Sequence, residues 1–336
     1  MKTIFPLLLL LLLFSACETD FEPEPQNNPE AVFEDLWQNF NTLYAPFEER
    51  GVDWQEQYHI YRPQVHAQTT DDALFAILSN LLASLDDGHV SLTAPGREVF
   101  FSNEIRRLQL DDALFDLAVI TDHYLEAGYQ RGTDDSYVYG RLKNTNLGYI
   151  FFDYVGDNFN VMDEFLDKYK EADGYVIDLR HNQGGDFTYA FPQIGRFTDE
   201  KRLVFESKTK NGAGEDDYTD WHTWHLEPRG NYVDKALVVL TDRYTISAGE
   251  RAVMAFKTLP QVTFVGDTTS GAQGTMIGRE LANGWFYSLV PQKTKLYDGQ
   301  SYEGIGLSPD LYVKNTSAEL SSGTDAVLEA GMEVLK

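Results

Sequence analysis

The chain has 336 residues, of which 43% are apolar, 13% aromatic and 24% charged, with only 12 Pro. That composition excludes collagen-like, low-complexity and mostly disordered chains and leaves room for a large core, in one big domain or two moderate ones. Lys and Arg number 27 against 53 Asp and Glu, a formal charge of -26, so no basic excess is available to bind nucleic acid or an anionic bilayer face.

The chain opens on a leader. Lys2 precedes an unbroken apolar run over 7–13, and Phe14-Ser15-Ala16-Cys17 closes the run with small residues. Such a run is too short to span a bilayer as a helix and reads as a secretion signal over 1–16. Its ending resembles a bacterial lipoprotein cleavage box, with Phe14 where Leu is commoner, which implies lipid attachment at Cys17. The bland alternative is a signal cleaved without lipidation and an incidental cysteine. Cys17 is the only cysteine in the chain, so an intrachain disulfide and four-thiolate zinc sites are excluded. Residues 17–28, rich in Pro, Glu, Asp and Asn without hydrophobic periodicity, read as an acidic tether. The expected location is therefore the bacterial cell envelope, lipid-anchored, on its periplasmic or outer-membrane face.

From Glu30, the residues Val32, Phe33, Leu36, Trp37, Phe40, Leu43 and Tyr44 recur at helical spacing. A second helix begins at Thr70-Asp71-Asp72, good N-terminal residues, and is expected to end at Asp86-Asp87-Gly88 with Gly88 left-handed. These make a small N-terminal helical domain over 29–94. Residues 95–146 read as a short linking segment containing strands near 117–120 and 137–139. From 147 onward strands over 148–152, 174–180, 235–242 and 262–266 alternate with helices over 161–169 and 247–258. The fold class is α/β, a mostly parallel sheet covered on both faces. Asn283-Gly284 marks a hairpin over 276–291 appended to that sheet, and 325–335 reads as a closing helix.

Ser247 lies just past a buried-looking strand and at the start of a helix. Serine is a favoured helix N-cap, which is the structural reading. The same place also suits a nucleophile, because free backbone N–H groups and the positive dipole end stand beside the hydroxyl. Asp178-Leu179-Arg180-His181-Asn182-Gln183-Gly184-Gly185 follows another such strand, and ligands of open α/β sheets gather at the carboxyl ends of strands. An oxyanion hole from the N–H groups of Ala248 and of Gly184 or Gly185 is therefore expected. A serine needs a base, and His89, at a helix-to-strand junction, is the best placed imidazole, although isolated histidines are usually structural. His222 and His225 have pair spacing but no third ligand cluster, so no metal is expected.

At this point the residues reach a known family. Asp-Leu-Arg-x-Asn-x-Gly-Gly at 178–185, Ser-Ala-Gly-Glu at 247–250, Val-Gly-Asp-Thr-Thr-Ser-Gly at 265–271 and Glu-Gly-Ile-Gly-Leu-Ser-Pro-Asp at 303–310 stand in the order found in C-terminal processing peptidases. The chain thus resembles the S41 serine peptidases, and the resemblance implies a ClpP/crotonase-like catalytic domain over 147–336. Bacterial members with a Ser-Lys dyad carry lysine where this chain has Ala272, so that base is absent. The other branch, similar to the tricorn core protease, pairs serine with an upstream histidine and a glutamate, positions held here by Ser247, His89 and Glu303. That branch can also place a serine beside the histidine, where this chain has Gly88. The linking segment is too short for the PDZ domain of many relatives. The resemblance implies a serine endopeptidase with a Ser-His-Glu arrangement, Glu250 in a supporting role, a peptide or protein substrate and no cofactor. The competing reading is an inactive S41-like lipoprotein that binds a peptide or an apolar ligand. Net charge adds an expectation of basic or neutral peptides.

Overall fold

A computed structural model describes residues 26–103, 110 and 112–336. The expected signal over 1–16 and the expected lipid attachment at Cys17 lie outside the described residues.

Helix α1 (Pro29–Leu43) is capped by Asn28, α2 (Trp54–Tyr61) by Asp53 and α3 (Asp71–Ala83) by Thr70, each cap accepting a backbone N–H of the first turn. The buried stripe Val32, Phe33, Leu36 and Phe40 of α1 joins Leu74, Leu78, Leu81 and Leu82 of α3 in one apolar cluster. Trp37 and Trp54 each donate their indole N–H to the other's carbonyl, at 3.3 and 3.1 Å, which satisfies two buried polar groups reciprocally. The expected stop of α3 differs in detail. Asp86, not Gly88, takes the positive φ. Gly88 answers to crowding instead: a Cβ there would lie 2.8 Å from Ile246 and 2.9 Å from the Asn103 amide.

The central sheet has seven strands: β1 (Gln130–Arg131), β2 (Tyr137–Arg141), β3 (Leu147–Phe152), β4 (Gly174–Asp178), β5 (Ala236–Thr241), β6 (Val262–Gly266) and β7 (Leu311–Tyr312). Their spatial order is β7-β6-β5-β4-β3-β2-β1. The pairs from β3 to β7 are parallel, and β2 and β1 add an antiparallel edge. Alternation along each strand feeds two cores. Ile177 and Val239 face the side covered by α4 (Val161–Lys168) and α5 (Ala248–Lys257), while Val176, Val238 and Leu240 face Val327 and Leu328 of α6 (Ala326–Val334). The expected mixed α/β architecture is the one observed, and among the described residues no helix is long and apolar enough to cross a membrane.

Two expected elements take another form. The strand near 117–120 is a short helical segment, Leu117–Val119 running into a π-turn at Ile120–Tyr124, started by Asp116 accepting the Ala118 N–H. Its apolar residues reach the same core helically, which the short run could not distinguish. The hairpin forms between Ile277–Glu280 and Phe286–Leu289, but it pairs with Ser91–Thr93 in a separate four-stranded sheet, not with the central one. Its side chains complete the N-terminal core: Tyr287 lies 5.7 Å from Phe40 and Trp285 5.6 Å from Phe75, ring to ring.

Candidate active site

Parallel strands β4 and β5 end side by side, so the loops that follow them meet. Thr245 donates its hydroxyl to the Leu179 carbonyl at 2.8 Å, and the Ile246 N–H donates to Asn182 O at 3.1 Å. At the end of the second loop Ser247 adopts φ 59° and ψ -120°, a conformation that costs a non-glycine residue about 1–3 kcal/mol and persists only when its surroundings impose it. Here the Ser247 N–H donates to Ala272 O, and the Arg251 N–H donates to the Ser247 carbonyl, at 3.1 and 3.0 Å. The hydroxyl makes no capping bond to α5. The reading of Ser247 as a helix cap therefore fails, and its Oγ is left for other work.

In the flanking loop the two glycines differ in their hydrogen bonding. The Gly184 N–H donates to Asn182 Oδ1 at 3.1 Å, so it is already used. The N–H groups of Gly185 and Ala248 meet no acceptor among the described residues. Gly184 serves instead by lacking a side chain: its φ is +84°, and a Cβ would sit 2.7 Å from that of Ser247. Gly184→Ala is expected to destabilise the protein by about 1–3 kcal/mol through the left-handed backbone and to slow any reaction of Ser247 roughly 100-fold by displacing it. Thermal melts and reaction rates measured on the same variant check both parts.

His89 is held between α3 and the strand Ser91–Thr93. Its backbone N–H donates to Asp87 Oδ1 at 2.8 Å and its carbonyl accepts the Ser288 hydroxyl at 2.7 Å. His89, Ser247, Ala248, Gly185, Phe187 and Arg251 all line one cleft of about 520 Å³. An adjoining cavity of about 530 Å³ shares Gly88, Phe101, Gln183 and Ile246 with it, giving an elongated depression. Burial holds the imidazole below the ordinary histidine range, with Asp87 opposing and Arg251 and Arg50 reinforcing.

Glu303 departs from the simplest triad. Its Oε1 is taken by the Arg50 guanidinium, and its Oε2 accepts the N–H groups of Gln273 and Gly274 at 2.9 and 3.2 Å. No hydrogen bond joins it to His89, whose Nδ1 is buried and unpartnered. Asp87 is the acid nearest the imidazole in effect, and it accepts the Tyr44 hydroxyl at 2.8 Å and lies 3.4 Å from Arg50. One guanidinium thus faces two buried carboxylates. Asp87 stays below the usual carboxylate range because Arg50 and its hydrogen bonds outweigh burial. Burial pushes Glu303 up to about 7, against the pull of Arg50.

Glu250, fully buried, accepts the Thr269 hydroxyl at 2.6 Å and the N–H groups of Gly271 and Ala272 at 2.9 and 2.8 Å. It fixes the loop whose Ala272 carbonyl holds the Ser247 N–H, so its supporting role acts through that loop. The residues that sequence reasoning missed are Arg50, Asp87 and Arg251. Arg50 also donates to the carbonyls of Gly271 and Asp86. Asp87 lies two residues before a named histidine, but Arg50 ends the short helix Phe47–Arg50 with no motif around it. His222 and His225 lie on the strand His222–Leu226 of a peripheral three-stranded sheet, where His222 packs edge-on against Trp224.

Residues 146–313 match peptidase family S41, and residues 25–83 match the tricorn protease C1 domain. A solved structure from Parabacteroides merdae ATCC 43184, described as a candidate peptidase, is 30% identical, with a TM-score of 0.83 over 92% of this chain and 97% of that one. Mature CPAF, 11% identical, shares the fold with a TM-score of 0.69 over 92% of this chain and 96% of its own. The carboxy-terminal processing protease CtpA of Bacillus subtilis (strain 168) is 28% identical over 178 residues, 52% of this chain and 36% of CtpA. The chain thus spans little more than a third of that relative. The chain belongs to peptidase family S41.

Proposed function

We propose that this S41 chain is a serine endopeptidase of the bacterial cell envelope, exported by residues 1–16 and anchored through lipid at Cys17. The observation that carries the catalytic part is Ser247, whose uncapped hydroxyl stands on an imposed positive-φ turn between two unengaged N–H donors. Its Oγ attacks a peptide carbonyl carbon while His89 takes the hydroxyl proton. The N–H groups of Ala248 and Gly185 receive the oxyanion, each such donor contributing about 3–4 kcal/mol in comparable enzymes. His89 returns the proton to the leaving amine, and water then hydrolyses the acyl-serine by the same route. Burial keeps the His89 imidazole neutral and able to accept a proton at neutral pH. Glu303 is a positioning residue that acts through the Arg50–Asp87 cluster. The competing ligand-binding reading draws on the unpartnered Nδ1 of His89.

Labelling by a serine-directed fluorophosphonate separates the two. The wild-type chain is expected to label, Ser247→Ala and His89→Ala to lose labelling, and Glu303→Ala to keep a weakened reaction. A folded wild type that does not label, or a Ser247→Ala variant that labels equally, removes the peptidase reading and favours the binding one.

The pH profile adds a second check. Glu303 carries its proton below about 7 and is charged above it, and only the charged form supports an imidazolium. The labelling rate is therefore expected to climb as pH rises through about 7. In Glu303→Gln that limb disappears, leaving a shallower rise at the lower pH where His89 deprotonates. An unchanged profile in Glu303→Gln removes the glutamate from the mechanism.

A further inference from the structure

The protein is strongly acidic, yet the cleft beside Ser247 is not. Among the described residues lining it, Arg251 alone carries a fixed charge. Its guanidinium is buried to 3% exposure and, among the described residues, has no carboxylate within ion-pair distance. Instead Nε donates to the Gln273 carbonyl at 3.0 Å, and Nη2 donates to Gln292 Oε1 at 2.5 Å and to Thr275 Oγ1 at 3.3 Å. Nη1 has no acceptor among the described residues. Phe187 and Phe205 face the group at 4.7 and 4.5 Å. Buried arginines are ordinarily paired, because an uncompensated charge in a low-dielectric setting is expensive. Arg180 shows the ordinary case here, with Asp178 and Asp325 both against it. Burial depresses Arg251 to about 10, against the weaker pull of Glu303 and Glu250, neither of which bonds to it, and leaves it cationic at neutral pH.

We infer that Arg251 is a recognition site for a carboxylate on the substrate, placed within a few residues of the bond presented to Ser247. The inference rests on the peptidase reading of the cleft. Thr275 also lines the cleft and marks the edge of the guanidinium that faces it through its long contact with Nη2. A carboxylate arriving there supplies a counter-charge in direct contact, and a small turn of the planar fork offers Nη1 as a second donor. The acceptor is either an Asp or Glu side chain or the free C-terminal carboxylate of a peptide. Both reverse the preference for basic or neutral substrates that net charge suggests, because the charge nearest the bound chain outweighs a distant, screened surface.

The test is binding to the full chain carrying Ser247→Ala, read by fluorescence anisotropy. The probes are labelled neutral decapeptides blocked at both ends, with a single Glu or Gln stepped along them, and the free-acid and amide forms of the neutral parent. At one register the Glu peptide, or the free acid, is expected to bind roughly ten- to a hundredfold tighter than its uncharged twin. Which pair differs identifies the source of the carboxylate. Arg251→Met is expected to level the difference and Arg251→Lys to retain part of it. Equal affinity for charged and uncharged twins overturns the inference without needing any Arg251 variant to fold. A preference that survives in folded Arg251→Met, or no binding by any probe, also overturns it. An intact preference with no cleavage of the preferred peptide by the chain that retains Ser247 sinks the peptidase reading alone.

Discussion

Ser247→Ala is expected to lower kcat/KM for hydrolysis of unfolded casein or a fluorogenic peptide by roughly 100,000-fold, while thermal stability stays within about 1 kcal/mol of wild type. The two halves of that expectation have separate origins. The hydroxyl is the attacking group, so nothing replaces it when it is removed. It also makes no structural hydrogen bond at the head of α5, so its loss strands no buried partner, and alanine carries the same Cβ into the same left-handed backbone. His89→Ala is expected to be nearly as damaging, and the double variant no worse than Ser247→Ala, because the groups act as a unit. Residual hydrolysis above about one part in a hundred would contradict the assignment. A large drop in melting temperature would instead show that Ser247 holds the loop together.

The largest expected effect on stability lies away from the cleft. Asp325→Ala is expected to destabilise the fold by about 3–5 kcal/mol, because it removes one partner from a buried charge triad. Arg180 donates to both oxygens of Asp178 and, through Nη1, to both of Asp325 at 3.0 and 2.9 Å, and all three residues are buried. Asp325 also caps α6 by accepting the Leu328 N–H at 2.8 Å. The substitution thus strips a cap and leaves a cation short of charge in the core. Because Arg180 stands at the root of the loop bearing Gly185, the fluorophosphonate rate should fall too. Chemical denaturation measures the first consequence. A loss below 1 kcal/mol would mean that Asp178 alone satisfies the guanidinium.

The central sheet was legible because fully buried parallel strands write themselves as unbroken apolar runs. Phe264-Val265-Gly266 and Tyr175-Val176-Ile177 announce both faces at once. The nucleophile turn was legible from Ser247-Ala248-Gly249 placed after such a run. The helical segment at Leu117–Val119 was not, since three apolar residues fit either period. Nor was the contact that diverts Glu303: Arg50 approaches from 253 positions away in sequence, and no local pattern encodes a pairing set by how the helical region docks. The choice between Gly184 and Gly185 turned on one side-chain acceptor, Asn182, whose direction a sequence does not carry. Arg251 looked like one more polar residue in an amphipathic helix, because no sequence pattern shows that its guanidinium meets only neutral acceptors.

The hairpin Ile277–Glu280 and Phe286–Leu289 is made late in the chain, yet it supplies Leu281, Trp285, Tyr287 and Leu289 to the apolar cluster of α1 and α3. During synthesis those helices emerge some two hundred residues before the strands that finish their core. The helical region and the catalytic region are therefore interlocked in folding order: the first cannot consolidate until most of the second has been made. Contacts of such long sequence separation slow folding and prolong exposure of aromatic surface. A chain built this way stays open until its last third has been made. Its His89, gripped by Ser288, reaches the cleft only when that last closure is complete.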